Sequence, residues 1–146
     1  MTTFCVLGRP VPQGSMRPIV SQSTGRPFVK QSPPLAVWRA DVAEAARRAG
    51  VSLEAGPVAL GAVFSFPRPK GHMGTGRNAG RLRASAPARP INRAQGDVDK
   101  LLRAVLDALS GVAYLDDSQV VEIASARKRY CDHGEPASAV VTVSRV

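Results

Sequence analysis

The sequence predicts an α/β protein of the α+β type, a mixed β-sheet packed with two main helices in a single domain, residues 1–146. Three observations favour this class. The length of 146 residues, with 44% hydrophobic and 21% charged residues, is typical of one globular domain. The apolar patterns follow the order strand, helix, strand, helix, strand, strand. One of these strands is apolar on both faces, as the central strand of a covered sheet would be.

The first half of the chain predicts a strand, a basic loop and a helix. TTFCVLG, residues 2–8, is the strand. The long basic loop, residues 9–34, is rich in Pro, Gly and Ser, contains no acid, and has room for a short hairpin. In SPPLAVWRADVAEAARRAG, Ser32 is a candidate cap, the two prolines suit a first helical turn, and Gly50 suits the end. The apolar residues of this helix recur at helical spacing, at Leu35, Trp38, Val42 and Ala45.

The second half predicts a central strand, a second basic loop, a helix and two strands. VALGAVFSF is the buried strand. Residues 67–94 lack any periodicity and hold seven Lys or Arg and no acid; a loop of this length is usually functional or disordered. A helix is predicted from Asp99 to Ser110, with Gly111 as its stop. QVVEIASARKRY and ASAVVTVSRV flank the turn CDHGEP, which predicts an antiparallel hairpin.

The charge balance restricts the partners. The net charge of +9 and a pI near 10.8 indicate a polyanion, and nucleic acid is favoured over a membrane. No segment has the length of a transmembrane helix, and the first residues do not resemble a signal peptide. The two cysteines, Cys5 and Cys131, show no pairing pattern. They are expected to be buried thiols in a reducing cytoplasm.

The acids are concentrated in GDVDKLLRAVLDALSGVAYLDDSQVV. Five of the eleven in the chain fall there, namely Asp97, Asp99, Asp107, Asp116 and Asp117. In an extended entry to the helix, Asp97 and Asp99 would face one spot. Clustered carboxylates repel one another, and a hard cation such as Mg²⁺ relieves the repulsion and can activate water for phosphodiester hydrolysis. A helix of about a dozen residues is roughly 18 Å long, so the two pairs meet only through a fold-back or a partner molecule.

Each acid also has a structural interpretation. Asp97 or Asp99 can cap the helix. Asp99, Arg103 and Asp107 can form a ladder of ion pairs, and for Asp107 a structural role of some kind is preferred. Asp116 and Asp117 can serve as turn formers. The gathering of both pairs in a strongly basic chain favours the metal-site hypothesis over these alternatives.

The same segment resembles the signature of the RusA family of Holliday junction resolvases, in which D-x-D-N-L-x-K precedes an apolar helix with D-A-L and then D-D-x-Q-V. VLGRPVPQGSMRP and VFSFPRPKG also resemble the first strand and loop and the second strand of that family. The resemblance implies a RusA-like fold and a homodimer that cuts branched DNA, the four-way junction, by symmetric nicks leaving 5′-phosphates. It implies Mg²⁺, with Mn²⁺ as an alternative, and no organic cofactor. Small enzymes of this family are common in phages and prophages.

Carried over by position, the resemblance makes Asp97, Asp99 and Asp117 the catalytic, metal-binding acids, with Asp116 supporting them. Two positions depart from the pattern. Lys100 stands where the family has Asn, and Arg103 stands where it has Lys. Arg103 keeps the charge but cannot lose a proton, so its expected role is to stabilise charge on the phosphate. The expected contacts to DNA phosphates are Arg17, Lys70, Arg77, Arg81, Arg83 and Lys100.

Three other functions remain open at this point; the third, an interaction protein for an acidic protein partner, would be contradicted by salt-dependent DNA binding. A non-catalytic DNA-binding module would keep the basic loops and use the acids only as caps and turns. A nuclease for flaps or forks would cut without the symmetry of a junction. Alanine at Asp97 or Asp117 separates the first from an enzyme, and the pattern of cuts separates the second.

Overall fold

The computed structural model describes residues 1–14, 18–29 and 32–146, and it confirms the α+β class. Two helices and a four-stranded sheet form the body, and a short antiparallel hairpin lies within the first basic loop. In chain order the elements are β1 (Thr2–Leu7), β2 (Pro18–Val20), β3 (Pro27–Val29), α1 (Pro33–Arg48), β4 (Val58–Phe66), α2 (Val98–Leu109), β5 (Val120–Tyr130) and β6 (Ser138–Arg145).

The sheet has the strand order β1-β6-β4-β5. β4 is antiparallel to β6 and parallel to β5. The predicted β5–β6 hairpin is therefore wrong, although a turn does form, with the Glu135 N–H donating to the Asp132 carbonyl. The physical reason lies in β4, which is buried along almost its whole length. Placing β4 between β5 and β6 gives this apolar strand a partner on both sides, whereas a hairpin would have left it with one.

Both helices cover one face of the sheet, and they contact each other there. α1 begins at the predicted prolines, but the Ser32 side chain forms no capping hydrogen bond. Leu35, Trp38 and Val42 of α1 are buried. α2 begins at Val98, one residue earlier than predicted. The core between helices and sheet also includes Phe4, Val6, Leu60, Ala62, Phe64, Leu101, Val105, Leu109, Tyr114 and Val141.

The other face of the sheet is free of helices among the described residues. Side chains alternate along a strand, so Phe4 and Val6 of β1 enter the core while Cys5 points to the uncovered face. Cys5 is accordingly exposed, and the expectation that both thiols are buried holds only for Cys131.

Residues 67–94 contain no α-helix and no named strand, only short 3₁₀ turns at Lys70–His72 and Gly76–Asn78 and the beginning of a third at Arg93–Gln95. Their backbone is nevertheless hydrogen-bonded, for example from the Gly74 N–H to the Arg81 carbonyl at 2.9 Å. Within the described part of the chain, no helix is both long and apolar enough to cross a membrane.

Candidate active site

The first group of acids lies at the start of α2. Asp97 occupies the N-cap position, but its side chain makes no capping hydrogen bond. Its carboxylate instead lies 3.3 Å from the ammonium of Lys100, and both side chains are partly exposed. Asp99 belongs to the first turn of the helix, so the extended geometry assumed for the Asp97–Asp99 pair applies to Asp97 alone. Both carboxylates are near the positive end of the helix dipole, which favours negative charge.

The backbone before Asp97 is fixed by the conformation of Gly96 and by the contacts of Gly96 with two other segments. Gly96 has φ +87°, a conformation that suits glycine. Its carbonyl accepts a hydrogen bond from the Lys128 ammonium at 2.9 Å, which ties the start of α2 to the far end of β5. A Cβ placed on Gly96 would lie 2.6 Å from Cγ of Pro12. Gln13, the residue after Pro12, donates its N–H to the Lys100 carbonyl at 3.0 Å, so the segment that contains Pro12 is itself fixed against α2.

The outer surface of α2 carries the cation that was expected to act on the phosphate. Arg103 is exposed and, unlike in the ladder interpretation, forms no ion pair with Asp99 or Asp107. Asp107 is partly buried and accepts a hydrogen bond from the Gln13 side-chain amide. Arg103 is therefore free to meet an anionic ligand, while Asp107 has a structural contact, as preferred for it.

The second group of acids follows α2. Asp116 caps the short turn Asp117–Gln119: its carboxylate accepts from the Ser118 N–H at 2.8 Å, which lowers the pKa of that carboxyl. Asp117 has a raised pKa, because it loses some hydration and because Asp116 and Asp107 add negative charge nearby. The repulsion expected of clustered carboxylates thus contributes to the raised pKa of Asp117, after the loss of hydration.

The chain does not return along α2 to join the two groups. The Tyr114 hydroxyl donates to the Leu106 carbonyl at 2.7 Å, and the Ala113 N–H donates to Leu109, so the loop reaches back only about one turn. Burial raises the pKa of the Tyr114 hydroxyl, and the charges of Asp117 and Asp107 raise it further, so the hydroxyl stays protonated as this donor.

Two estimates, one along α2 and one along β4, give a similar distance between the acids at the start of α2 and the acids that follow it. α2 has 12 residues, which correspond to about 18 Å. The strand route is similar, because Val120, the residue after Gln119, pairs with Val58 at the start of β4, whereas Lys128 pairs with Phe64 near its end. Six strand residues span roughly 20 Å. Asp97 and Asp117 therefore lie at opposite ends of the helix.

The donor atoms are of the kind that Mg²⁺ prefers, since hard cations bind carboxylate oxygens. Their arrangement in one chain does not match the expected set, however. No group of three or more His, Cys, Asp or Glu side chains that could hold a metal occurs in residues 1–14, 18–29 and 32–146. A single copy thus supplies the expected ligands in two separate groups.

The basic loop 67–94 leads directly towards Asp97. Lys70, Arg77, Arg81 and Arg83 are all exposed, and none has an acidic partner in the described part of the chain. Arg83 also donates to the Met73 carbonyl at 2.8 Å. Of the other predicted contacts, Lys100 is engaged with Asp97, and Arg17 lies outside the described residues.

Several residues that shape the site were not identified from the sequence. Gln13 contacts both Lys100 and Asp107, and Lys128 donates a hydrogen bond to the Gly96 carbonyl. Arg68 stacks on the ring of Tyr130, with its Cζ carbon 4.3 Å from the ring centroid. Gln13 is buried although polar, but burial of a polar side chain depends on tertiary packing and leaves no local pattern. Only Gly96, directly before an aspartate that starts a helix, carried a local signal.

Exposed cations without acidic partners on a strongly basic chain are typical of a protein that acts on nucleic acid. The family model of endodeoxyribonuclease RusA matches residues 8–143, almost the whole chain. The chain belongs to this RusA family, and its class is that of an endodeoxyribonuclease. A search of the curated proteins found no match.

Proposed function

We propose that the protein is a Mg²⁺-dependent endonuclease that resolves four-way DNA junctions by paired, symmetric nicks, each leaving a 5′-phosphate. Family membership supports an enzyme of this kind. We further propose that it acts as a homodimer in the bacterial cytoplasm, because two symmetric nicks require two equivalent sites.

The observation that carries the proposal is the uncompensated positive charge of the loop 67–94 and of Arg103 on α2. The predicted phosphate contacts of the loop 67–94 are exposed and lack acidic partners among the described residues. Arg103 of α2 is likewise exposed and lacks an acidic partner there. A DNA backbone held by these cations would bring a phosphate to the helix surface that also bears Asp99. Recognition would rest on the shape of the DNA, since phosphate contacts carry no sequence information.

We assign Arg103 the task of stabilising negative charge on the phosphate. A guanidinium binds two phosphate oxygens at once and stays protonated at any physiological pH, so it cannot serve as a base. The proposed metal ligands are Asp97, Asp99 and Asp117, supported by Asp116, with Mg²⁺ as the preferred ion and Mn²⁺ as an alternative. Because one copy holds them in two separate groups, the proposed homodimer would have to bring them together. When DNA binds, the Lys100 ammonium is proposed to leave the Asp97 carboxylate and to contact a phosphate oxygen instead.

A second candidate function, DNA binding without cleavage, is favoured by the contacts of two acids. Asp97 is already ion-paired with Lys100, and Asp116 is a turn cap. The turn contact is what the structural interpretation of Asp116 expects, whereas Asp97 has an ion pair in place of the expected cap.

A cleavage assay separates the two candidates. A labelled immobile four-way junction and a duplex of the same arms are incubated with the protein, with Mg²⁺ or with chelator. Resolution requires symmetric nicks in the junction, dependent on Mg²⁺ and lost in Asp97→Asn. Tight junction binding without cuts would favour the non-catalytic candidate, and asymmetric cuts in flaps or forks would favour a nuclease of other branched DNA.

A further inference from the structure

We propose that a cavity at the end of β4 and β5 binds one unstacked base of the DNA, next to the phosphate held at Asp97. The proposal takes its substrate from the proposed function and adds a second contact to it. The cavity has a volume of about 720 Å³, and its walls are the loop 67–94 and the turn between β5 and β6. Sites for small ligands have volumes of about 300–1,000 Å³. None of the acids at the ends of α2, and none of the predicted phosphate contacts of the loop 67–94, lines this cavity.

The wall contributed by the loop 67–94 is already formed without DNA. Met73 and Leu82 pair as an isolated antiparallel bridge, which places them side by side. The guanidinium of Arg83 donates to the Met73 carbonyl at 2.8 Å and fixes this bridge. Leu82 is 54% exposed although it is apolar. The wall therefore offers an apolar surface that the ring of a ligand can cover.

A flat cationic group lines the same cavity. The Cζ carbon of Arg68 lies 4.3 Å from the centroid of the Tyr130 ring, and its Nη1 donates to the Pro87 carbonyl at 2.8 Å. The ring of His72 meets the Tyr130 ring edge to face, with 5.3 Å between the centroids. These contacts fix the plane of the guanidinium with one face on Tyr130. Nucleic-acid bases stack on guanidinium planes of this kind.

The cations that remain free in the cavity are on the loop 67–94. Neither Arg68 nor Arg89 has an acidic partner among the described residues. The acids of the opposite wall, Asp132 and Glu135, are both ion-paired with Arg129, at 3.3 and 2.6 Å. Arg129 neutralises one of these two charges, and the two free arginines outnumber the other. A ligand with a flat ring and a negative group matches this wall, and a nucleotide has both.

The cavity adjoins the Asp97 end of α2. Lys128 and Tyr130 are two residues apart on β5, so they point to the same face of the sheet and lie about 7 Å apart. Lys128 donates to the carbonyl of Gly96, the residue before Asp97. Tyr130 supports Arg68 in the cavity. A strand whose phosphate is held at Asp97 therefore has the cavity beside a neighbouring base.

The occupant of the cavity would help to select branched DNA. Taking a base out of its stack costs free energy, and the cost is least for a base that is already unpaired. A branch point supplies such a base more readily than a continuous duplex does. The cavity would therefore add to the phosphate contacts, which recognise the shape of the DNA alone.

Binding of a single nucleotide tests the cavity without metal or cleavage. Deoxyadenosine monophosphate and inorganic phosphate are titrated separately into isotope-labelled protein in chelator and followed by NMR. The nucleotide should shift the resonances of Arg68 and Leu82 and saturate, and phosphate at the same concentrations should not. Leu82→Ala should weaken nucleotide binding by about fivefold or more, as when a surface that contacts a base is truncated. Leu53→Ala is the matched control, since Leu53 is 52% exposed, and it should change nothing. Equal shifts with phosphate would mean a site for anions only and would overturn the proposal.

Unstacking of a base in the junction is measured separately. The fluorescent adenine analogue aminopurine, which brightens when it is unstacked, is placed at the branch point, and the junction is saturated with protein in chelator. Wild-type protein should raise the fluorescence. Arg68→Lys keeps the charge and lacks the flat face, so it should give at most about half of that rise. Leu82→Ala should also give a smaller rise, which guards against a disturbed loop in Arg68→Lys. No rise with wild-type protein, or a full rise with both variants, would overturn the proposal.

The two measurements separate this proposal from the proposed function. If wild-type protein cuts junctions with Mg²⁺ but neither binds the nucleotide nor unstacks the analogue, the base site is wrong and the proposed function stands. If it does both but never cuts, the base site stands and the proposed function fails.

Discussion

The replacement Gly96→Ala should disturb the entry to α2 more than its small size suggests. Two effects add at this position. An L-residue at φ +87° costs about 1–2 kcal/mol relative to glycine. The new methyl carbon would also lie 2.6 and 2.7 Å from two carbons of the Pro12 ring, and forcing an extra group into a packed site costs about 1–3 kcal/mol. Pro12 has little freedom to move, because Gln13 is bonded to Lys100.

The matched control is Gly134→Ala. Gly134 has φ +77°, but a methyl group there would meet nothing within 4 Å. Urea unfolding should therefore show a loss of roughly 2–5 kcal/mol for Gly96→Ala and about 1–2 kcal/mol for Gly134→Ala. Junction cleavage, measured at a temperature where both remain folded, should fall only for Gly96→Ala, since Asp97 is the next residue. Equal losses of stability in the two variants would refute the reasoning about Pro12.

Three further predictions concern charge. Arg77→Gln should weaken junction binding and lower the slope of log K against log salt by about 1, whereas Arg48→Gln, which loses a cation already ion-paired on α1, should leave the slope unchanged. Asp117→Asn should raise the melting temperature of metal-free protein at neutral pH while abolishing cleavage, because the raised pKa of Asp117 means that its charge opposes folding. Glu135 has a pKa lowered by Arg129, so its stabilising effect is present above the ordinary carboxyl range and is lost as the pH falls through the lowered value.

Each charge prediction has a clear contrary result. An unchanged salt slope in Arg77→Gln would remove that residue from the DNA contact. The stability gain of Asp117→Asn should vanish in acid, where the native carboxyl is protonated as well, and a gain that persists there would point to another cause. Between neutral and acidic pH, the melting temperature should fall more steeply for the wild type than for Glu135→Gln. Parallel curves of melting temperature against pH would contradict the role of the Arg129–Glu135 ion pair.

Local signals predicted the elements well. The prolines of α1, the apolar spacing of α2 and the unbroken apolar run of β4 are all properties of neighbouring residues, and the structure confirms each of them. The partner of β5 was predicted wrongly because strand pairing depends on the whole sheet. A turn between β5 and β6 favoured a hairpin, but placing the apolar strand β4 between them buries it and pairs both of its edges, which stabilises the sheet more.

The site was predictable as a set of residues and not as an arrangement. The positions of Asp97, Asp99, Asp116 and Asp117 along the chain say that a helix lies between them, but not whether the following loop returns. The buried hydroxyl of Tyr114 ends that return near Leu106. Contacts of this kind join residues by packing, so no spacing rule in the sequence reveals them.

The structural interpretation accounts for the acids unequally, and the difference indicates where function is needed. Asp97 and Asp99 lie at the favourable end of the α2 dipole, and Asp116 caps a turn. Asp117 lies beside Asp116 and Asp107, and partial loss of hydration together with these charges raises its pKa. A carboxylate whose charge lowers stability is best explained by a ligand that it meets, and the metal ion of the proposed function is such a ligand.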